Sequence, residues 1–118
     1  MKHPLVGVWK MEVGYVGRPA RELAVNTYHE DGSMSVTTAG YTAHGAWSAT
    51  GERSARIHAL APVGPAEGQA AWHTFDATVE LSADGQTFAL QGLLSRPTPS
   101  GVANQIAASA TGQRVRLT

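Results

Sequence analysis

Apolar and polar residues alternate along much of this chain, as is typical of β-strands with one buried face. In the first stretch, 5–13, Leu5, Trp9 and Met11 share one parity. Lys10 and Glu12 have the other parity. No segment has the apolar spacing of a helix, so the chain is predicted to be all-β. The predicted strands are Leu5–Gly14, Arg21–Glu30, Ser33–Thr38, Ala43–Thr50, Arg53–Ala61, Ala71–Ser82, Gln86–Ser95 and Val102–Leu117, with Ala110-Thr111-Gly112 as a potential break in the last.

The connectors between these strands suggest how they are arranged. Asp31-Gly32 and Asp84-Gly85 are typical of tight hairpins, because glycine adopts positive φ freely, and Thr50-Gly51-Glu52 indicates a third turn. The remaining connectors are predicted to be longer: Gly14–Ala20, Ala39–Thr42, Pro62–Ala70 and Arg96–Gly101. Tight turns thus follow even strands and longer connectors follow odd ones. This sorting predicts an eight-stranded antiparallel up-and-down β-barrel with one open end, whereas the alternative, a two-sheet sandwich, does not explain it.

Composition narrows the function classes. The 118 residues are expected to form one domain, 1–118, with a single core. Nine basic and nine acidic residues cancel, so nucleic acid is not an expected partner. Cysteine is absent, which excludes disulfides, a thiol nucleophile and a thiolate metal site. Nothing resembles a signal peptide or a membrane span, so we expect a cytoplasmic protein without a membrane partner.

Parity also predicts which side chains face the barrel lumen. Met34 is expected to face inward, and Phe88 extends the same apolar wall. On the sixth strand the inward face is predicted to hold His73, Phe75, Ala77, Val79 and Leu81. Two strands stay ambiguous. Strand four turns either Trp47 or His44 inward, and strand two either the face of Leu23 and Val25 or that of Asn26 and Tyr28.

Three short motifs suggest a family. Gly7-Val8-Trp9 resembles the Gly-x-Trp signature of the lipocalin and fatty-acid-binding (calycin) superfamily. The stretches 28–34 and 44–47 look like those of small bacterial lipocalin-like domains. This resemblance implies a closed barrel with a lumen ligand. The first connector is too short for the helical lid of fatty-acid-binding proteins, and we expect no C-terminal helix like that of larger lipocalins. Arg114-Val115-Arg116 stands where fatty-acid-binding proteins have Arg-x-Tyr, so a long-chain fatty acid is not expected.

Lipocalins are also similar to one another in placing a basic side chain over the Gly-x-Trp tryptophan. In a closed barrel the last strand pairs with the first. We therefore expect Arg114 or Arg116 to lie within about 6 Å of the Trp9 ring in a cation–π contact. Trp9 would then close the floor of the barrel, and ligand chemistry would lie above it, around Met11, Met34 and His73.

Candidate reactive groups are few. His44, His58 and His73 fall near the predicted mouth, but their spacing matches no metal motif and His58 shares the outward parity of Arg56. We expect no metal and no cofactor. His73 is the tentative catalytic residue, as a general acid or base. The favoured interpretation is a rim histidine, since Asp76 lies on the opposite face and no nucleophile elbow is present.

The predicted mouth also carries Tyr15 and Tyr41, with Arg18 and Arg96 nearby. Aromatic rings with polar tips suit capture of an amphipathic molecule, and packing on neighbouring strands is the alternative. Trp72 is expected on the outer wall, where it could join a homodimer contact or stand alone.

Three functions are compatible with this chain. The first is binding of a small, mostly apolar or amphipathic molecule in the lumen, with Met11, Met34, Tyr41, Trp47, His73, Phe75 and Phe88 as predicted ligand contacts. The second is a cofactor-free cyclase, similar in architecture to small bacterial Diels–Alderases, which would fold a polyketide-type substrate by orientation. The third is a filled barrel that acts as an interaction module. A lumen cavity of about 300 Å³ or more would support the first two.

Overall fold

The computed structural model describes residues 2–66, 69–96 and 104–116, which form a closed barrel. Its strands are β1 (Gly7–Tyr15), β2 (Glu22–Tyr28), β3 (Ser33–Thr38), β4 (Thr42–Gly51), β5 (Ser54–Ala66), β6 (Gln69–Leu81), β7 (Thr87–Arg96) and β8 (Asn104–Arg114). Each strand pairs antiparallel with the next, and β8 returns to pair with β1. The predicted eight-stranded up-and-down β-barrel is therefore confirmed. No helix in these ranges is long and apolar enough to cross a membrane.

Two predicted hairpin turns are confirmed in detail. Gly32 and Gly85 have φ angles of 92° and 71°, which glycine adopts without strain. The preceding aspartates close both turns with their side chains. The Oδ1 atom of Asp31 accepts a hydrogen bond from the backbone N–H of Ser33 at 2.9 Å, and Asp84 does the same for Gln86 at 3.0 Å. These turns set the register of two hairpins.

The connector predicted over Pro62–Ala70 is wrong. Most of it belongs to strands, since β5 ends at Ala66 and β6 begins at Gln69. The prediction failed because Pro62 was assumed to interrupt a ladder. Pairing of β5 with β4 ends at Leu60, so Pro62 lies on a two-stranded ribbon where one side needs no donor. The connector between β3 and β4, residues 39–41, is also short, so loop length does not distinguish the two ends as predicted.

The break considered in the last strand does not occur. β8 runs without interruption through Thr111 and Gly112. Gly112 is required there for space, since a Cβ atom at this position would overlap the ring of Phe88. The predicted ends of this strand, Val102 and Leu117, lie outside the described residues.

The inward face of each strand forms one apolar core. The two ambiguous strands are settled by exposure. Strand β2 turns Asn26 and Tyr28 inward and leaves Leu23 72% exposed. Strand β4 turns Trp47 inward, packed against the core, and leaves His44 exposed. Met34 and the predicted inward face of β6 are confirmed, and many inward positions are alanine: Ala24, Ala43, Ala55, Ala59, Ala61, Ala77, Ala108 and Ala110.

One end of the barrel, which we call the closed end, is plugged by Trp9. This side chain is 0% exposed, as is that of Leu5, whose carbonyl accepts a hydrogen bond of 2.9 Å from Trp9 Nε1. The guanidinium carbon of Arg114 lies 4.3 Å from the centroid of the Trp9 ring, which confirms the expected cation–π contact. The ring of Phe88 packs on the same tryptophan, with the two centroids 4.9 Å apart.

Arg114 also fastens the chain around this plug. Its guanidinium donates to the carbonyls of Val6 at 3.0 Å and Gly85 at 3.1 Å, and to that of Pro4. Gly7 allows this approach, since it has a φ of 137° and a Cβ there would lie 2.9 Å from Arg114 Nη1. The segment before β1 and the turn before β7 are thus held by a single side chain.

Candidate functional site

Polar side chains gather at the opposite, open end, on the inward face of the strands. We call Tyr15, Glu22, Tyr41, His73 and Arg96 the mouth cluster. The hydroxyl of Tyr15 donates a hydrogen bond of 3.0 Å to Glu22 Oε1. None of these five residues is fully buried or fully exposed. The open end therefore combines one carboxylate, two phenols, an imidazole and a guanidinium.

Strand register explains why these residues meet. Tyr15 ends β1, and Glu22 begins β2 opposite Val13, so both have the inward parity of the core. Tyr41 lies in the short β3–β4 connector, where its carbonyl accepts a hydrogen bond of 2.9 Å from the N–H of Thr38. The acidic half of the cluster is thus formed by β1, β2 and this connector.

The basic half comes from β6 and β7. Ser95 is the Cα partner of Thr74 in the last pair of the β6–β7 ladder, so His73 and Arg96 lie near each other at that end. Arg96 continues the inward parity of Leu90 and Leu94. Its Nε atom is buried and has no hydrogen-bond partner among the described residues. The cluster thus holds a donor that the described part of the barrel does not use.

The electrostatics of the cluster follow from burial and from its own charges. Burial raises the pKa of Tyr15, and Tyr41 and the Glu22 carboxylate raise it further. Burial likewise raises the pKa of Tyr41, which the Glu22 carboxylate raises and the Arg96 charge lowers. Burial first, and Arg96 second, lower the pKa of His73. Both phenols are therefore neutral donors near pH 7, and His73 is a neutral imidazole.

Beneath the cluster lies a small apolar pocket in the lumen. Its volume is about 20 Å³, and it is lined by Met11, Val13, Tyr15, Glu22, Ala24, Val36, Thr38, Tyr41, Ala59 and Phe75. A space of this size holds about one water molecule, whereas a drug-sized ligand needs about 300 Å³. The side chains therefore nearly fill the lumen in this conformation.

The predicted ligand contacts divide into two groups. Met11, Tyr41 and Phe75 line the pocket, and His73 lies beside it. The other three lie at the closed end. Phe88 packs on Trp9, and Met34 is one residue from the β2–β3 turn. Trp47 Nε1 donates a hydrogen bond of 2.9 Å to the backbone carbonyl of His29 in that turn. The structure does not bring these three to the pocket.

The histidines do not converge. His44 and His58 point outward, as predicted for His58, whereas His73 points inward. On the outer wall His58 Nδ1 lies 2.5 Å from Asp76 Oδ1, a cross-strand pair that the sequence reasoning missed. Within the described ranges no three His, Asp or Glu side chains are grouped as metal ligands.

A buried polar contact lies midway along the barrel. Asn26 is 1% exposed, and its Nδ2 donates to the Tyr28 hydroxyl at 2.9 Å and to Met11 Sδ at 3.5 Å. Its Oδ1 atom has no partner within the described chain. This contact separates the plug from the pocket, because Met11 belongs to the pocket lining.

The outer wall carries a larger depression, which we call the outer groove. Its volume is about 1200 Å³, and most of its lining is the outward face of β1, β2, β3, β6, β7 and β8. Leu23 and Val25, which are 72% and 46% exposed, are the large exposed apolar side chains in its lining. Lys10 and Glu12 lie beside them on β1.

Glu22 is the residue of the candidate site that sequence reasoning missed. Its signal was its parity with Asn26 and Tyr28, but that parity was judged ambiguous because Leu23 and Val25 are more apolar. Both faces of β2 are therefore partly apolar, and only the strand pairing of the closed barrel determines which face is turned inward.

Comparison with known proteins gives no family assignment. No family model, curated protein or solved structure matches the chain. The class that the structure defines is therefore the closed eight-stranded antiparallel barrel alone.

Proposed function

We propose that this barrel binds a small, mostly apolar molecule at its open end, beneath the mouth cluster. The observation that supports it is the inward placement of Glu22, His73 and Arg96 above an apolar lumen. Partly burying such groups costs free energy unless they are paired, and Arg96 Nε has no partner among the described residues. Convergent polar groups over an apolar pocket are typical of small-molecule sites.

Binding requires the pocket to enlarge from about 20 Å³. The side chains that limit it, Tyr15, Tyr41 and Phe75, are half-buried at the rim, packed against the core rather than within it. Their outward rotation would open a path towards Met11 without disturbing the closed end. The alanines beneath them, Ala24 and Ala59, contribute little side-chain volume of their own.

We further propose that the barrel is of the calycin type. Support comes from Gly7-Val8-Trp9 together with the guanidinium of Arg114, 4.3 Å above the tryptophan ring. The same combination of a Gly-x-Trp and a basic side chain is the similarity to lipocalins noted from the sequence.

The binding proposal is tested with the neutral probe N-phenyl-1-naphthylamine, whose fluorescence rises in apolar surroundings. Wild-type protein should give a saturable rise. Ala59→Leu, which fills the pocket, should weaken binding about tenfold or more, and Ala24→Leu should act in the same direction.

The matched control is Ala46→Leu, because Ala46 is exposed on the outer face of β4 and should leave binding unchanged. Circular dichroism shows whether each variant is folded. Absence of saturable binding to wild type, or equal binding by the folded Ala59→Leu and wild-type proteins, would contradict the proposal.

A second candidate, a filled barrel that associates with a second copy of this chain, is supported by the small size of the pocket beside the outer groove. Lys10 and Glu12 give that groove both signs of charge, so a two-fold-related copy could place each lysine against the other's carboxylate. Sedimentation equilibrium with wild type and Leu23→Lys tests it. A dimer that Leu23→Lys dissociates supports this candidate, and a wild-type monomer overturns it.

A further inference from the structure

We propose that Arg96, together with His73 and Tyr41, receives an anionic head group, so that the ligand is an amphipathic monoanion such as a carboxylate or sulfonate on an apolar body. This inference rests on the proposed function and specifies its ligand class. It is carried by the unpartnered donor of Arg96 and by the distribution of charge around the mouth.

The first step concerns the hydrogen bonds and ion pairs of Arg96. Its Nε–H is buried without a partner among the described residues, whereas each guanidinium nitrogen of Arg114 at the closed end donates to a backbone carbonyl. The ion pairs of the described chain join Arg21 to Glu12 and His58 to Asp76, so neither involves Arg96. The following stretch, 97–103, contains no Asp or Glu. An anion would supply the missing acceptor.

The second step is the position of the cluster's own carboxylate. Glu22 accepts the hydrogen bond of Tyr15 at 3.0 Å, on the β1–β2 side of the mouth. Burial is the largest cause of the raised pKa of Tyr41; the Glu22 carboxylate raises this pKa further, and the Arg96 charge lowers it. Tyr41 is therefore influenced by both the acidic and the basic half of the mouth cluster. The β6–β7 side is therefore the positive half.

The third step is what the neighbours of Arg96 offer. His73 directly precedes Thr74, whose pairing with Ser95 ends the β6–β7 ladder, so it lies near Arg96 at that end. Its neutral imidazole can donate one hydrogen bond without adding charge. Tyr41 keeps its proton and lines the pocket, so its hydroxyl is a second donor. A guanidinium with two neutral donors at the same mouth is suited to an anion. The Phe75 ring and Ala59 line the pocket below, where the apolar body would lie.

The experiment compares two probes that share one body. 1-Anilinonaphthalene-8-sulfonate carries a sulfonate, and N-phenyl-1-naphthylamine is the same skeleton without it. Arg96→Gln should weaken binding of the sulfonate about tenfold to a hundredfold, since a charge-assisted hydrogen bond and its charge are lost. Binding of the neutral probe should weaken by a clearly smaller factor, because that probe has no charge to pair with Arg96. Arg96→Lys should recover part of the sulfonate affinity.

The control variant is Arg56→Gln, because Arg56 is an exposed arginine on the outer face of β5. It should leave both affinities unchanged, and equal losses with Arg56→Gln and Arg96→Gln would overturn the inference. So would an unchanged sulfonate affinity in folded Arg96→Gln, or equal losses for both probes. If the neutral probe binds wild type while Arg96 has no effect, the head-group inference fails and the proposed function stands. If neither probe binds wild type, both fail.

Discussion

The two ends of the barrel treat an inward arginine in opposite ways. At the closed end Arg114 donates to three backbone carbonyls and lies 4.3 Å above a fully buried tryptophan. At the open end Arg96 keeps a buried Nε–H without a partner in the described chain. Arg114 thus holds the fold together at the closed end, whereas Arg96 at the open end has a donor that the described chain does not use. We therefore assign Arg114 a structural role and propose a binding role for Arg96.

The largest expected effect is removal of the plug. Trp9→Ala should lower the free energy of unfolding by about 3–5 kcal/mol, because a fully buried indole and its hydrogen bond are lost. Trp72→Ala is the matched control. Trp72 is 60% exposed, so its removal should change stability by less than about 0.5 kcal/mol. Urea unfolding measures both, and equal effects would contradict the assignment of Trp9 as the floor.

The arginine comparison is next in size. Arg114→Gln should cost about 2–4 kcal/mol, because charge-assisted hydrogen bonds and a cation–π contact disappear. Arg96→Gln should cost less than about 1 kcal/mol, because no hydrogen bond at Nε is lost. Thermal and urea unfolding of the two variants gives the comparison directly. A larger loss for Arg96→Gln than for Arg114→Gln would show that the two ends have been assigned the wrong roles.

The packing of the closed end can be tested at a glycine. Gly112→Ala places a methyl group against the Phe88 ring and should destabilise the protein by about 1–3 kcal/mol. Gly14→Ala is the control, since the nearest atom to its Cβ is 3.7 Å away. It should change stability by less than about 0.5 kcal/mol. If calorimetry finds both variants as stable as wild type, Phe88 does not pack on Gly112.

The smallest expected effect is a pH dependence at the open end. Burial and Arg96 lower the pKa of His73 below its ordinary value of 6.5. Below that value the unfolded chain takes up a proton that the folded protein resists, so wild type should lose stability as the pH falls. His73→Gln should lose less between about pH 7.5 and pH 5. His44→Gln, at an exposed outward histidine, should behave as wild type. Identical pH dependence of wild type and His73→Gln would show that His73 does not contribute to the loss of stability at low pH.

Most of the fold could be predicted because alternation and turn chemistry are local signals. The turns at Gly32 and Gly85 follow from turn chemistry, the inward face of β6 from parity, and the arginine over Trp9 from barrel closure. The extension of β5 past Pro62 could not be predicted, because proline is tolerated where the neighbouring strand has already ended.

The site was less predictable, for a physical reason. The inward face of β2 carries Glu22 and Asn26, whereas its outward face carries Leu23 and Val25. Judged by hydrophobicity alone, this strand would be turned the other way. Its orientation is fixed by register with β1, where Asn26 lies opposite Trp9. Residues that a closed barrel forces inward against their own polarity form the candidate site.

Two methionines inside the barrel allow a direct test of the claim that the open end is the binding end. Met11 lines the pocket below the mouth cluster, and Met34 lies near the closed end. In protein labelled with ¹³C at the methionine methyl groups, titration with N-phenyl-1-naphthylamine should shift the Met11 signal in a saturable way. The Met34 signal should stay in place. A shift of Met34 as large as that of Met11, or no shift of Met11 at saturation, would contradict the claim that the open end is the binding end.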